Sequence, residues 1–62
     1  MKLKDKKTLN EILTMDYEFI GLAKGGEYAV FAKDSELIYM AKHNTNQFVC
    51  EKRYVEKKEV RG

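Results

Sequence analysis

Apolar residues recur along this chain with two different periods. Between residues 8 and 15, Leu9, Ile12 and Leu13 fall at i, i+3 and i+4, the spacing of one helical face. From Tyr17 onward, β-prone residues run in short stretches broken at Gly25-Gly26, at Asp34-Ser35 and at residues 43–46. The first pattern predicts a short helix over residues 8–15. The second predicts four antiparallel strands over residues 17–57. Thr8 and Glu11 stand at the spacing of a capping box, in which each side chain accepts from the other residue's backbone N–H. A helix this short does not hold alone and must pack on the sheet.

The turns set an expected register. A Gly-Gly step suits a tight hairpin turn, because such turns need φ > 0 and glycine has no Cβ to clash. With Gly25-Gly26 at the tip, Lys24 faces Glu27, Ala23 faces Tyr28, Leu22 faces Ala29, Gly21 faces Val30, Ile20 faces Phe31, Phe19 faces Ala32 and Glu18 faces Lys33. With Asp34-Ser35 at the next tip, Lys33 meets Glu36, Phe31 meets Ile38, Ala29 meets Met40 and Glu27 meets Lys42. The third turn puts Lys42 opposite Gln47, Met40 opposite Val49, Tyr39 opposite Cys50 and Glu36 opposite Arg53. Such exposed charge pairs contribute only ~0.2–1 kcal/mol each, so their value lies in specifying register. A glycine inside a strand, as at Gly21, marks a bulge or a close backbone approach.

The expected fold is therefore α+β: a short N-terminal helix, then a four-stranded antiparallel meander in the order 1-2-3-4. A small curled, partly open barrel with one helix is the alternative. Alternation assigns Ile20, Leu22, Phe31, Ile38, Met40, Val49 and Val55 to a first face, where the helix packs. It assigns Phe19, Tyr28, Val30, Leu37, Tyr39, Phe48, Cys50 and Tyr54 to the second. Both faces are apolar, and the chain offers cover for one only.

Length sharpens that imbalance. A single domain of 62 residues buries only about 60% of its unfolded surface and is marginal on its own. One cysteine makes no internal disulfide, and no metal-ligand cluster stands out, so self-association is the expected support. Residues 1–7 read as a solvated basic arm and residues 58–62 as a charged tail. Met1-Lys2-Leu3-Lys4 begins like the basic part of a signal peptide, but no apolar run follows. A free cysteine and apolar stretches too short to span a bilayer point to a cytoplasmic protein.

Little in the chain carries reaction chemistry. His43 and Cys50 are the sole residues of their kinds. The expected register spaces them roughly 13 Å apart along the sheet, against the ~2.6–3.2 Å that a nucleophile and its base require. One Cys and one His do not make a structural zinc site. Gly25-Gly26 lacks the spacing of a phosphate-binding loop. The expectation is no enzyme, no cofactor and no metal.

The second face carries the functional expectation. Phe19, Tyr28, Tyr39, Phe48 and Tyr54 form an aromatic surface there, with Lys52 among them and Arg53 adjacent. Aromatic residues are enriched in interface cores. This predicts a non-enzymatic protein–protein interaction module that forms a homodimer, with backbone pairing added by the outer strands. Size and composition suit an accessory or inhibitor protein of a phage or mobile element. The alternative is a single-stranded nucleic-acid binder that stacks bases on the same aromatics, with Lys2, Lys4, Lys6, Lys7, Lys52 and Arg53 as a basic rim. A net charge of +2 and only two arginines weigh against it.

Overall fold

Helix formation starts at Thr8. In the computed structural model, which describes residues 1–56, the Glu11 N–H donates to Thr8 Oγ1 at 3.1 Å and the Thr8 N–H donates to Glu11 Oε1 at 2.9 Å. That bond from the Thr8 backbone holds the exposed Glu11 carboxyl below its ordinary range. Helix α1 (Leu9–Thr14) is capped at Met15, and Asp16, with φ 69°, turns the chain toward the sheet. Left-handed backbone is tolerated by aspartate better than by most residues.

Five strands follow one another as β1 (Lys6–Lys7), β2 (Glu18–Ala23), β3 (Tyr28–Lys33), β4 (Glu36–Lys42) and β5 (Phe48–Val55). They form one open antiparallel sheet in the order β1-β5-β4-β3-β2. The meander from β2 to β5 is the predicted one. The additional strand comes from the residues expected to be a solvated arm. Lys4 N–H donates to Cys50 O at 2.8 Å, Cys50 N–H donates to Asp5 O at 2.9 Å, and Lys6 and Lys7 pair with Val49 and Phe48. Two paired residues show no alternation, so this strand left no pattern to read. The predicted tail at 58–62, and the predicted strand end at Lys57, lie outside the described residues.

Since β1 and β2 are opposite edges of the sheet, the segment between them must cross one face. That segment contains α1. Ile12 reaches the core and is fully buried with Phe31, Ile38, Met40 and Cys50.

The register departs from expectation at two places, each with a local cause. Along β2, Ala23, Leu22 and Gly21 pair as predicted with Tyr28, Ala29 and Val30. A bulge at Ile20, beside Gly21, then puts Phe19 opposite Phe31 and Glu18 opposite Ala32. Phe19 thereby turns to the helix side and meets Phe31 edge to face, with ring centroids 5.5 Å apart. The predicted Glu18–Lys33 rung does not form; the Lys33 ammonium lies 5.5 Å from the Tyr17 ring centroid. Gly25 and Gly26 do adopt positive φ in the hairpin turn.

Strands β3 and β4 pair as predicted, with Lys33 opposite Glu36, Phe31 opposite Ile38 and Ala29 opposite Met40. The loop before β5 is one residue longer than expected. Asn44 Oδ1 accepts from the N–H groups of Asn46 and Gln47, which keeps Gln47 out of the strand. Lys42 therefore faces Phe48, Ala41 faces Val49 and Met40 faces Cys50. A second bulge, at Glu51, restores the alternation, so that Tyr39 faces Lys52 and Leu37 faces Tyr54.

One polar cluster closes the helix side. Glu36 accepts from the Tyr17 hydroxyl, from the Met1 ammonium at 2.9 Å and from Arg53 Nε at 2.6 Å. The ammonium also donates to the Tyr17 oxygen at 2.9 Å. Arg53 faces Ile38 in register, so it reaches Glu36 along a diagonal. Burial alone pushes the Glu36 carboxyl up, but the hydrogen bonds from Tyr17, the ammonium and Arg53 outweigh it and bring the pKa down from 4.5 to about 2. Burial, then the Glu36 carboxylate, push the Tyr17 phenol above its usual range.

A carboxylate with a depressed folded-state pKa adds stability that is present above its unfolded pKa and lost as pH falls through its folded one. Glu36→Gln is expected to lower stability at neutral pH by about 2 kcal/mol, read from urea midpoints. The gap between variant and wild type should shrink as pH falls from 4.5 toward 2. A gap that stays constant across that window would exclude Glu36 as the titrating group.

Candidate functional site

The seven residues expected to form one contact surface are divided between two. Tyr28, Tyr39, Tyr54 and Lys52 lie on the face away from the helix. Phe19 and Phe48 lie on the helix side, moved there by the Ile20 bulge and by the longer loop before β5. Arg53 also lies on the helix side and is bound to Glu36.

On the face away from the helix the tyrosine rings lean on one another, with Tyr54 still more than half exposed. Tyr28 and Tyr39 meet edge to face at 5.9 Å, and Tyr39 and Tyr54 at 5.8 Å. The Lys52 ammonium sits 5.7 Å from the Tyr28 ring centroid. Val30, directly opposite Tyr39, and Val49 are buried on this face. Aromatic pairs of this geometry contribute about 0.5–1.5 kcal/mol each beyond the area they bury.

The exposed apolar surface is on the helix side instead. Leu9 and Leu13 of α1 are each 47% exposed, Phe19 is 51% and Leu22 is 68%. These four line a groove of about 460 Å³ between the helix and the β2–β3 hairpin, floored by Ala29, Phe31, Met40 and Phe48. Lys42 and Glu27 stand at its rim. The cause is the size of the helix. Of its three apolar residues only Ile12 points straight at the sheet, and Leu9 and Leu13 flank it. The sequence did hold that signal, since three apolar residues on one short helix are too few for a face of seven.

The outer side of β2 adds a second feature. It is an edge of the sheet, and its six residues, Glu-Phe-Ile-Gly-Leu-Ala, include no lysine or proline to discourage pairing.

Cys50 and His43 are not brought together. The expected register puts Cys50 on the second face; instead it points into the helix-side core with no exposure. Its Sγ donates to Lys52 O at 3.6 Å, and burial pushes the thiol pKa up. His43 is exposed in the loop, where its N–H donates to Gln47 O at 2.9 Å. Among the described residues no group of three or more His, Cys, Asp or Glu is placed to hold a metal ion, and no helix is long and apolar enough to cross a membrane. No protein-family model, curated protein or solved structure matches the chain.

Two substitutions separate groove wall from core. Measured at dilutions where the protein is a single chain, Leu22→Asp should change stability by no more than about 0.5 kcal/mol, because the side chain is solvated there. Phe31→Ala should cost about 3–5 kcal/mol, enough to unfold a domain of this size. Equal losses for the two in thermal melts would show that Leu22 is not on an open surface. Cys50 should react with a thiol reagent only after denaturant is added; rapid labelling of the native protein would contradict its burial.

Proposed function

We propose that this chain is a non-enzymatic protein-binding module that self-associates through its helix-side groove. The observation that supports this is the contiguous exposed apolar surface of Leu9, Leu13, Phe19 and Leu22 around a groove of about 460 Å³. Soluble monomers rarely keep apolar patches of this kind, and patches rimmed by polar residues mark contact sites. Covering the groove removes four half-solvated side chains from water, at roughly 25 cal/mol per Å² of apolar area. The contact surface is thus the one under the helix, and the tyrosine face stays outward.

A second reading rests on a different observation. Tyr28, Tyr39 and Tyr54 share their face with Lys52 and Lys6, a basic and aromatic set of the kind that stacks single-stranded nucleic acid. Without Phe19, Phe48 and Arg53 that set is smaller than the sequence suggested.

Sedimentation across the micromolar range tests the first reading. The wild type should be heavier than one chain, Leu13→Asp should bring it to the monomer, and Tyr39→Lys should leave assembly intact. A wild type that stays monomeric and folded throughout would contradict self-association. If Tyr39→Lys dissociated it and Leu13→Asp did not, the contact would lie on the tyrosine face.

A further inference from the structure

We propose that the α-amino group of Met1 is a modification site: as a free ammonium it latches the start of the chain onto the sheet, and acylation of that nitrogen releases β1. The ammonium is held by two groups that also hold each other. It donates to the Tyr17 hydroxyl oxygen and to Glu36 Oε2, both at 2.9 Å, while the Tyr17 hydroxyl donates to Glu36 Oε1. Solvent reaches none of the Met1 side of this ion pair and 15% of the Glu36 side chain. Tyr17 is buried, and Met1 packs against the core that contains Ile12, Phe31, Ile38, Met40 and Cys50.

Little else holds this segment. Strand β1 pairs only through Lys6 and Lys7, and so short a ladder is marginal by itself. The turn that leads into it is strained. Lys4 has φ 72°, where the Cβ of a lysine crowds the backbone. Lys2 N–H donates to Asp5 Oδ2 at 3.1 Å, and Asp5 N–H donates to Lys2 O at 3.2 Å, which closes that turn. Strain of this kind persists where the surroundings fix both ends. Cys50 fixes one end through its hydrogen bonds with Lys4 and Asp5, and the Met1 ammonium fixes the other.

Acylation undoes the latch by donor arithmetic. An ammonium carries a positive charge and three N–H donors; an amide is neutral and has one. One N–H does not serve Tyr17 and Glu36 together, and Glu36 keeps one cation, Arg53. A formyl or acetyl group acts in this way, and so does a preceding residue, since each turns the nitrogen into an amide. Hydrolysis reverses the change. Water adds across the amide C–N bond, its oxygen leaves on the departing carboxylate, and both its hydrogens end on the nitrogen, which becomes the ammonium. The freed amine then docks β1 over the start of β5. The latch works within one chain and does not depend on self-association.

The test compares the chain with a free Met1 amine and the same chain acetylated at that nitrogen, both made by chemical synthesis. Acetylation should speed hydrogen exchange of the Lys4 and Cys50 amides about tenfold or more, and by more than it speeds exchange in the β3–β4 ladder. In Glu36→Gln the same acetylation should change those two rates by less than about threefold, because the partner of the ammonium is already gone. Tyr17→Phe, which removes only the hydroxyl, should also shrink the effect, and it serves where Glu36→Gln does not fold. Lys4 and Cys50 amides that exchange at one rate in the free and acetylated chains would overturn the latch. An acetylation effect of full size in both variants would overturn it too, since its cause would then lie away from Glu36 and Tyr17.

Discussion

Among the described residues, one helix of six residues, with Met1 and Tyr17 beside it, covers one face of a five-stranded sheet. The topology demands this, because the chain pairs β1 at one edge, crosses to β2 at the other and then meanders back. Only Ile12 penetrates from the helix, and around it gather Phe31, Ile38, Met40 and Cys50. Beyond the reach of Ile12 the face is left open, bordered by Leu9 and Leu13 on one side and by Phe19 and Leu22 on the other. The exposed apolar surface is thus the direct consequence of a crossover too short to hide it.

The opposite face and the start of the chain are held by contacts within the chain. Three tyrosines lean on one another across the opposite face, and Val30 and Val49 are buried there. At the start of the chain, the Met1 ammonium, Tyr17 and Arg53 all meet on Glu36. That cluster fastens the first residues to the middle of the sheet, where a charged segment would otherwise be solvated. A partly buried carboxylate with three donors is costly to leave half-satisfied, which makes the anchor specific.

Much of the architecture was legible in the sequence. Thr8 and Glu11 announced the helix start, Gly25-Gly26 announced a hairpin, and the β3–β4 register followed from its turn. What alternation does not reveal is a single inserted residue. Gly21 signalled a bulge in β2, yet strict alternation was carried through Ile20, and Phe19 was placed on the wrong face. Asn44 gathered two N–H groups and lengthened the last loop by one residue, which moved Phe48 and Cys50 to the other side. The Glu51 bulge then returned Lys52 and Tyr54 to the faces first assigned to them. The expected aromatic surface was therefore half right, and the open groove was missed because the helix was credited with covering its whole face.

The proposal that most needs a test is that the helix-side apolar surface, open in a single chain, is closed by association. Hydrogen exchange of the backbone amides at rising protein concentration tests it most directly. Protection should grow with concentration in β2 and around Leu9 and Leu13, while the tyrosine face and the outer edge of β5 keep their monomer rates. Exchange in β2 that does not depend on concentration, in a protein that remains folded, would contradict the account.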